Sequence, residues 1–125
     1  WLQNAMALAL VCAQRREDVC RAEFKDFKDG GWWLTQASEK TDDPHHIFIP
    51  NEIKPAGFHL SLGQVVHQCR RSGVLASYLV HQTERRRGRS TQGRAMRLST
   101  VSSAFSAAVR ALVADWGDKT PPTFH

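Results

Sequence analysis

An apolar run at the start of the chain constrains the fold more than any other feature. Residues 1–14 contain no Gly or Pro, and their apolar side chains fall on most faces of a helix drawn through them. A helix that is apolar nearly all round must be covered by other parts of the protein. We therefore predict a buried first helix. Its apolar members are Leu2, Ala5, Met6, Ala7, Leu8, Ala9, Leu10 and Val11.

Two shorter helices are predicted from capping signals. Residues 16–23 follow the first helix and carry acidic side chains near the positive N-terminal end of the predicted helix. Residues 61–72 keep helical spacing of apolar positions, and Ser61 with Gln64 fits a capping box at their start. Gly73 is expected to stop this helix, because glycine adopts the left-handed conformation common after helix ends.

The last predicted helix has the clearest amphipathic pattern. It is expected to end at Gly117, and Pro121 and Pro122 prevent its return. One apolar stripe at helical spacing is formed by Leu98, Val101, Phe105, Ala108, Val109, Leu112, Val113 and Trp116.

Strands are predicted between the helices. Residues 32–36 and 46–50 are short and rich in aromatic and β-branched residues, which favours two strands of a hairpin. The polar connection between these two strands contains Lys40. Residues 24–27 are expected to add a third strand at the edge of the sheet. Residues 75–80 are predicted to form a strand or an extended segment. This order predicts an α+β fold with a small antiparallel sheet packed on a mainly helical body.

Length and composition indicate at most one domain, spanning residues 1–125, with an ordinary apolar content of 42%. The longest apolar stretch, residues 5–13, is too short to span a membrane, and no signal peptide is recognised. We expect a cytoplasmic protein whose ends have both been trimmed. The three cysteines, Cys12, Cys20 and Cys69, have no metal-type spacing and are interpreted as small buried apolar residues in a reducing compartment.

Basic residues outnumber acidic ones, with 17 Lys and Arg against 12 Asp and Glu, a net charge of +5 and a pI of about 9.6. A basic domain suggests a polyanionic partner, most commonly nucleic acid. The positive charge is concentrated in residues 85–97, a predicted loop and helix start without any acid. The candidate DNA-binding residues of this segment are Arg85, Arg86, Arg87, Arg89 and Arg94, and Arg97 follows them. The alternative is that the segment is a solvated basic loop without a functional role.

The end of the first predicted helix carries the residues with the most chemical meaning. Residues 7–20 read ALALVCAQRREDVC. This stretch resembles the segment of lambda-type phage integrases, the tyrosine recombinases, that holds the first catalytic arginine. The resemblance implies that Arg15 binds a DNA phosphate, for which the planar guanidinium is well suited, and that Asp18, three positions later, orients it. If Arg16 were the catalytic arginine, the residue three positions later would be Val19, which is not acidic.

Two readings of Arg15 stay open at this point. The resemblance departs from the family at Ala13, in the turn before Arg15, where relatives commonly have Gly. The alternative to a catalytic role is that Arg15 closes a helix and pairs with Asp18.

A second resemblance to the family concerns Lys40. Residues 36–41 read QASEKT and precede the predicted second strand, and Lys40 follows Arg15 by 25 residues. The resemblance implies a hairpin lysine that reaches the scissile phosphate and acts as general acid towards the leaving 5′-oxygen. A lysine near other cations can donate a proton, because its pKa falls there. Glu39 and the connection through Asp42 and Asp43 depart from the family pattern, and a solvated hairpin lysine is the alternative.

The third resemblance concerns His125. Residues 120–125 read TPPTFH and match the approach to the His-x-x-Arg box of the family, which implies that His125 is a hydrogen-bond donor and proton carrier beside the phosphate. The box arginine and the nucleophilic tyrosine of the family lie beyond this point. The single tyrosine, Tyr78, is interpreted as a packing residue.

The resemblance implies a parent enzyme that recombines DNA through a phosphotyrosyl intermediate. This parent would act as a homotetramer on double-stranded attachment sites, without a cofactor or metal. The 125 residues would be an incomplete catalytic domain, without the N-terminal DNA-binding domain and the tyrosine, and inactive alone. No established ligand spacing joins His45, His46, His59, His67 and His81, so no metal site is expected. The alternatives are a non-catalytic DNA-binding domain on the same scaffold and a basic helical protein-interaction module.

Overall fold

The computed structural model describes residues 1–36, 44–84 and 92–112. Four α-helices and three strands occur in this part of the chain. The helices are α1 (Leu2–Cys12), α2 (Arg16–Arg21), α3 (Leu62–Arg70) and α4 (Leu98–Leu112), and the strands are β1 (Phe27–Lys28), β2 (Gly31–Gln36) and β3 (His45–Pro50). The predicted α+β fold, with its small antiparallel sheet, is confirmed.

The first helix lies at the centre of the helical body and contacts each of the other three helices. Ala5 and Leu8 are completely buried, and Val11 and Cys12 nearly so. The predicted burial of this helix is thus confirmed on the face that meets the core, whereas the face with Met6, 38% exposed, and Leu10, 55% exposed, is open. Their face of α1 lines an open cleft of about 850 Å³.

The sheet has the order β1-β2-β3, with both pairs antiparallel. Trp32 and Leu34 on β2 and Ile49 on β3 turn inward and join the core, whereas Trp33 and Phe48 face outward and pack on each other with ring centroids 4.8 Å apart. This alternation follows from the two-residue period of a strand. The hairpin predicted from residues 32–36 and 46–50 is confirmed.

The predicted edge strand over residues 24–27 is only partly correct. Phe24–Asp26 form a 3₁₀ turn, which a reciprocal capping box between Glu23 and Asp26 stabilises, and the edge strand begins at Phe27. The side-chain caps satisfy backbone groups that a strand would have had to pair with β2.

The remaining helix predictions are confirmed with shifted ends. In α3, Ser61 accepts a hydrogen bond from the Gln64 amide while the Gln64 side chain accepts one from the Ser61 amide. This helix ends at Arg70, before Gly73. In α4, Val101 and Val109 are buried but Leu112 is 83% exposed, so the predicted stripe is covered as far as Val109 and open at Leu112. The predicted end at Gly117 lies outside the described residues.

Residues 75–80, predicted as a strand or an extended segment, form no strand of the sheet: Tyr78 makes an isolated bridge to Glu23, and the following His81 makes another to Ala95. Tyr78 is half-buried, which agrees with a packing role. His81 is buried, with Nδ1 2.8 Å from the Tyr78 carbonyl oxygen and Nε2 2.8 Å from the Ser72 hydroxyl. Because a carbonyl only accepts, the hydrogen bond to Tyr78 requires a proton on Nδ1.

All three cysteines are buried thiols, as predicted. Burial raises the pKa of Cys12 to about 12 and that of Cys69 to about 11, because the thiolate is poorly solvated in the core. Burial also raises the pKa of Cys20, although the nearby Arg16 opposes this effect. Within the described residues, no helix has the length and apolar character needed to cross a membrane.

Candidate functional site

The turn between α1 and α2 positions Arg15. The first helix ends with Ala13 in the left-handed conformation, with φ 51° and ψ 32°. Arg15 then takes an extended conformation, with φ −63° and ψ 149°, and serves as the residue before the first turn of α2. Its side chain is exposed. The sharp change of direction thus presents a guanidinium to solvent at the end of a buried helix.

Two hydrogen bonds of the Gln14 side chain join this turn to α1 and to β2. Its side-chain Nε2 donates to the Cys12 carbonyl oxygen at 3.0 Å, and its Oε1 accepts from Gln36 Nε2 at 3.0 Å. The first bond satisfies a carbonyl in the last turn of α1, where no helical partner follows. The second joins the turn to the last residue of β2.

The neighbouring Arg16 has a different environment from Arg15. Arg16 Nη1 donates to Ser102 Oγ at 2.6 Å, and that hydroxyl in turn donates to the Leu98 carbonyl oxygen at 2.9 Å. Arg16 therefore joins α2 to α4. No hydrogen bond or ion pair of the Arg15 guanidinium is found in the described part of the chain, which leaves its five donors available to a ligand.

Asp18 lies in the first turn of α2 and is half-buried. Within residues 1–36, 44–84 and 92–112, neither a hydrogen bond nor a salt bridge joins its carboxylate to Arg15. The pairing considered from the sequence is thus not made in this structure. An orienting role for Asp18 towards a bound Arg15 stays a prediction.

Of the predicted arginine cluster, Arg94 lies in the described part and is exposed. Its carbonyl oxygen accepts a hydrogen bond from the Gln82 amide, and the adjacent Ala95 bridges to His81, so its backbone is tied to the core. The other predicted site residues lie outside the described residues: Lys40, Arg85, Arg86, Arg87, Arg89 and His125.

The open cleft runs along the exposed face of α1 up to the Arg15 turn, since Gln14 and Ala13 belong to its lining. Apolar side chains form much of its wall, among them Met6, Leu10 and Phe105. The described residues contain no group of three or more His, Cys, Asp or Glu side chains that could hold a metal ion.

Gln14 and Gln36 are the two residues whose roles the sequence did not reveal. Both stand within motifs that carry the family resemblance, beside Arg15 and ahead of Lys40. No local pattern indicates their hydrogen bond, because 22 residues separate them along the chain.

No protein-family model matches the chain. Across all 125 residues it is 34% identical to the integrase of Enterobacteria phage P21 and 37% identical to the prophage integrase IntE of Escherichia coli strain K12. The chain spans 31% and 32% of these two relatives, or about a third of their length.

Solved structures of lambda integrase match the whole chain as well. The lambda integrase catalytic core superposes with a TM-score of 0.77 at 27% identity, and the chain covers 68% of it. A lambda integrase tetramer bound to a Holliday junction gives a TM-score of 0.78 at 26% identity, with 32% of that chain covered. The resemblance recognised in the sequence is therefore confirmed: along its whole length the chain is similar to a segment of phage and prophage integrases, and it has the α+β fold of the lambda integrase catalytic core.

Proposed function

We propose that the chain is a single, partial catalytic domain of an integrase that recombines DNA at specific sites. The observation that carries this proposal is the similarity to integrases along all 125 residues. It is supported by the exposed guanidinium of Arg15, held at the position where the family resemblance places the first catalytic arginine.

The proposed reaction exchanges one phosphodiester bond for another bond of similar energy. A tyrosine oxygen attacks the scissile phosphorus, the bond from phosphorus to the 5′-oxygen breaks, and a 3′-phosphotyrosyl bond forms. The leaving 5′-oxygen takes up a proton. Religation reverses these steps with a different 5′-hydroxyl, so no ATP is needed; the family resemblance implies that no metal ion takes part either.

Each proposed site residue has one part in this exchange. Arg15 binds the non-bridging phosphate oxygens and stabilises the charge that develops on them, with Asp18 orienting it when DNA is bound. Lys40 donates the proton to the 5′-oxygen, and His125 supports the phosphate by hydrogen bonding and proton transfer. The attacking tyrosine and the second arginine belong to the remainder of the integrase.

The proposed partner is double-stranded DNA carrying attachment sites, on which the intact integrase assembles as a tetramer. One of the matching lambda integrase structures is a tetramer bound to a Holliday junction, and another is a dimer bound to a core site. The positive charge of this chain favours a polyanion of this kind.

The test is covalent capture on a nicked attachment-site substrate, which traps the phosphotyrosyl intermediate. We expect the intact integrase to form an adduct, and the 125-residue chain to form none, because its only tyrosine, Tyr78, is a half-buried packing residue. In the intact integrase, Arg15→Ala should lower the rate of adduct formation by about 10²–10³-fold, as for loss of a donor to a transition-state oxyanion.

Other outcomes would identify other functions. An adduct on the isolated chain would contradict its inactivity. DNA binding by the intact protein without any adduct would favour a non-catalytic DNA-binding domain. Absence of DNA binding even at low salt would favour a protein-interaction module.

A further inference from the structure

Arg15 lies between two residues that are each fastened to a different part of the fold. On one side, the Gln14 side chain reaches Gln36 at the end of β2, and on the other, Arg16 reaches Ser102 on α4. The backbone of Arg15 is thereby held from both directions, whereas its own side chain is exposed. A fixed backbone with an available guanidinium is the arrangement that a phosphate-binding arginine requires.

The two glutamine amides have a defined orientation. The Cys12 carbonyl oxygen only accepts hydrogen bonds, so the Gln14 amide nitrogen faces it and the Gln14 amide oxygen faces the other way. That oxygen needs a donor, and the Gln36 nitrogen, 3.0 Å away, supplies it. The chain of bonds from α1 through Gln14 to β2 therefore depends on a donor at position 36 and on both functions of the amide at position 14.

Few other contacts fix the shape of this turn within the described part of the chain. Ala13 takes the left-handed conformation, which is unfavourable for an alanine, and no described side chain caps the start of α2. Loss of the Gln14 bonds would leave the backbone between Cys12 and Arg16 freer to rotate. The Arg15 guanidinium would then spend less time in the orientation that meets the phosphate.

We propose that Gln14 and Gln36 are a positioning pair for Arg15. The pair does not touch the DNA in this proposal; it acts through the turn that carries the arginine. The inference rests on the proposed function, since it takes Arg15 to be the residue that binds the scissile phosphate.

The test is a double-mutant cycle in the intact integrase, with cleavage rates measured at saturating attachment-site DNA and dissociation constants measured separately. Gln14→Ala and Gln36→Met should each slow cleavage by about tenfold, because a displaced catalytic group loses much of its effect, while the dissociation constant stays within about twofold. The double variant should be no slower than the slower single one, since both remove the same bond.

Two further variants separate positioning from loss of structure. Gln36→Lys keeps a donor on a straight side chain of similar length, so it should cleave faster than Gln36→Met. Thr35→Val removes the neighbouring hydrogen bond of Thr35 Oγ1 with His46 Nδ1, on the other face of β2, and should cleave like the wild type.

Three results would overturn the proposal: wild-type cleavage by Gln14→Ala and Gln36→Met, fully additive losses in the double variant, or equal losses for Gln36→Lys and Gln36→Met. Arg15→Ala is measured in parallel. If that variant cleaves normally, the proposed function fails at Arg15; if it is inactive while both glutamine variants cleave normally, only the positioning pair fails.

Discussion

Ala13 is the residue whose conformation decides the direction of the chain ahead of Arg15. Its φ of 51° lies in the left-handed region, which costs a residue with a Cβ about 1–2 kcal/mol. The sequence identified Ala13 as a departure from the glycine common in relatives. The structure shows that the turn keeps the conformation that glycine would favour, although alanine occupies it.

Ala13→Gly is therefore expected to raise the free energy of unfolding by about 1 kcal/mol, because glycine adopts this conformation without strain. Urea denaturation of the wild type and of Ala13→Gly measures the difference between their free energies of unfolding. The matched control is Ala107→Gly, at an exposed position inside α4, which should lower stability by about 1 kcal/mol. Changes of the same sign in both variants would mean that the Ala13 conformation is not strained.

Burial could be predicted where it depends on local pattern, as for the thiols of Cys12, Cys20 and Cys69 from their apolar spacing. The phosphate-binding role of Arg15 comes from the family resemblance and stays a prediction. The Gln14–Gln36 bond could not be predicted, because it forms only when β2 packs beside the end of α1. Side-chain hydrogen bonds across the fold leave no periodic trace in the sequence.

The hairpin of β1 and β2 shows which elements a sequence reveals. Asp29 and Gly30 connect the two strands with φ of 55° and 83°, the paired positive values of a two-residue turn that favours Asp-Gly. The turn fixes the register of Lys28 opposite Gly31. The edge strand had been predicted from its own apolar residues and not from this dipeptide. The edge strand was nevertheless placed too early, because the capping box at Glu23 and Asp26 competes with strand pairing.

Gly31 determines how closely β2 and β3 approach. A Cβ at this position would collide with the Ile49 carbonyl oxygen and come 2.6 Å from the Phe48 ring. The carbonyl belongs to the backbone of the sheet and has little freedom to move. Gly31→Ala should therefore lower the free energy of unfolding by about 2–3 kcal/mol, as for an overpacked core.

Thermal or chemical denaturation measures this loss, with Gly63→Ala as the control. A Cβ at Gly63 meets the Asn51 side chain at 3.3 Å and lies within α3, where alanine favours the helix, so the change should be near neutral. If Gly31→Ala were also near neutral, the two strands would have to separate more easily than their close packing implies.

At the scale of the whole molecule, the positive charge is not uniformly available to a polyanion. Lys25 Nζ lies 3.0 Å from Glu23 Oε2, so a neighbouring carboxylate competes with any DNA phosphate for this ammonium group. Arg94 is exposed, with no hydrogen bond or ion pair of its guanidinium within the described residues, and its backbone is anchored to the core. Net charge alone treats these two cations as equal, but their surroundings predict different contributions to DNA binding.

Binding of the chain to duplex DNA at a series of salt concentrations tests this difference. Each phosphate contact contributes about 0.9 to the slope of the logarithm of affinity against the logarithm of salt concentration. Arg94→Ala should therefore lower the magnitude of the slope by about 1, and Lys25→Ala should change it much less, although both variants lose one positive charge. A specific phosphate contact at Arg94 would be lost in Arg94→Ala and kept in Lys25→Ala. Equal effects of the two variants on the slope would therefore mean that the affinity for DNA follows total charge.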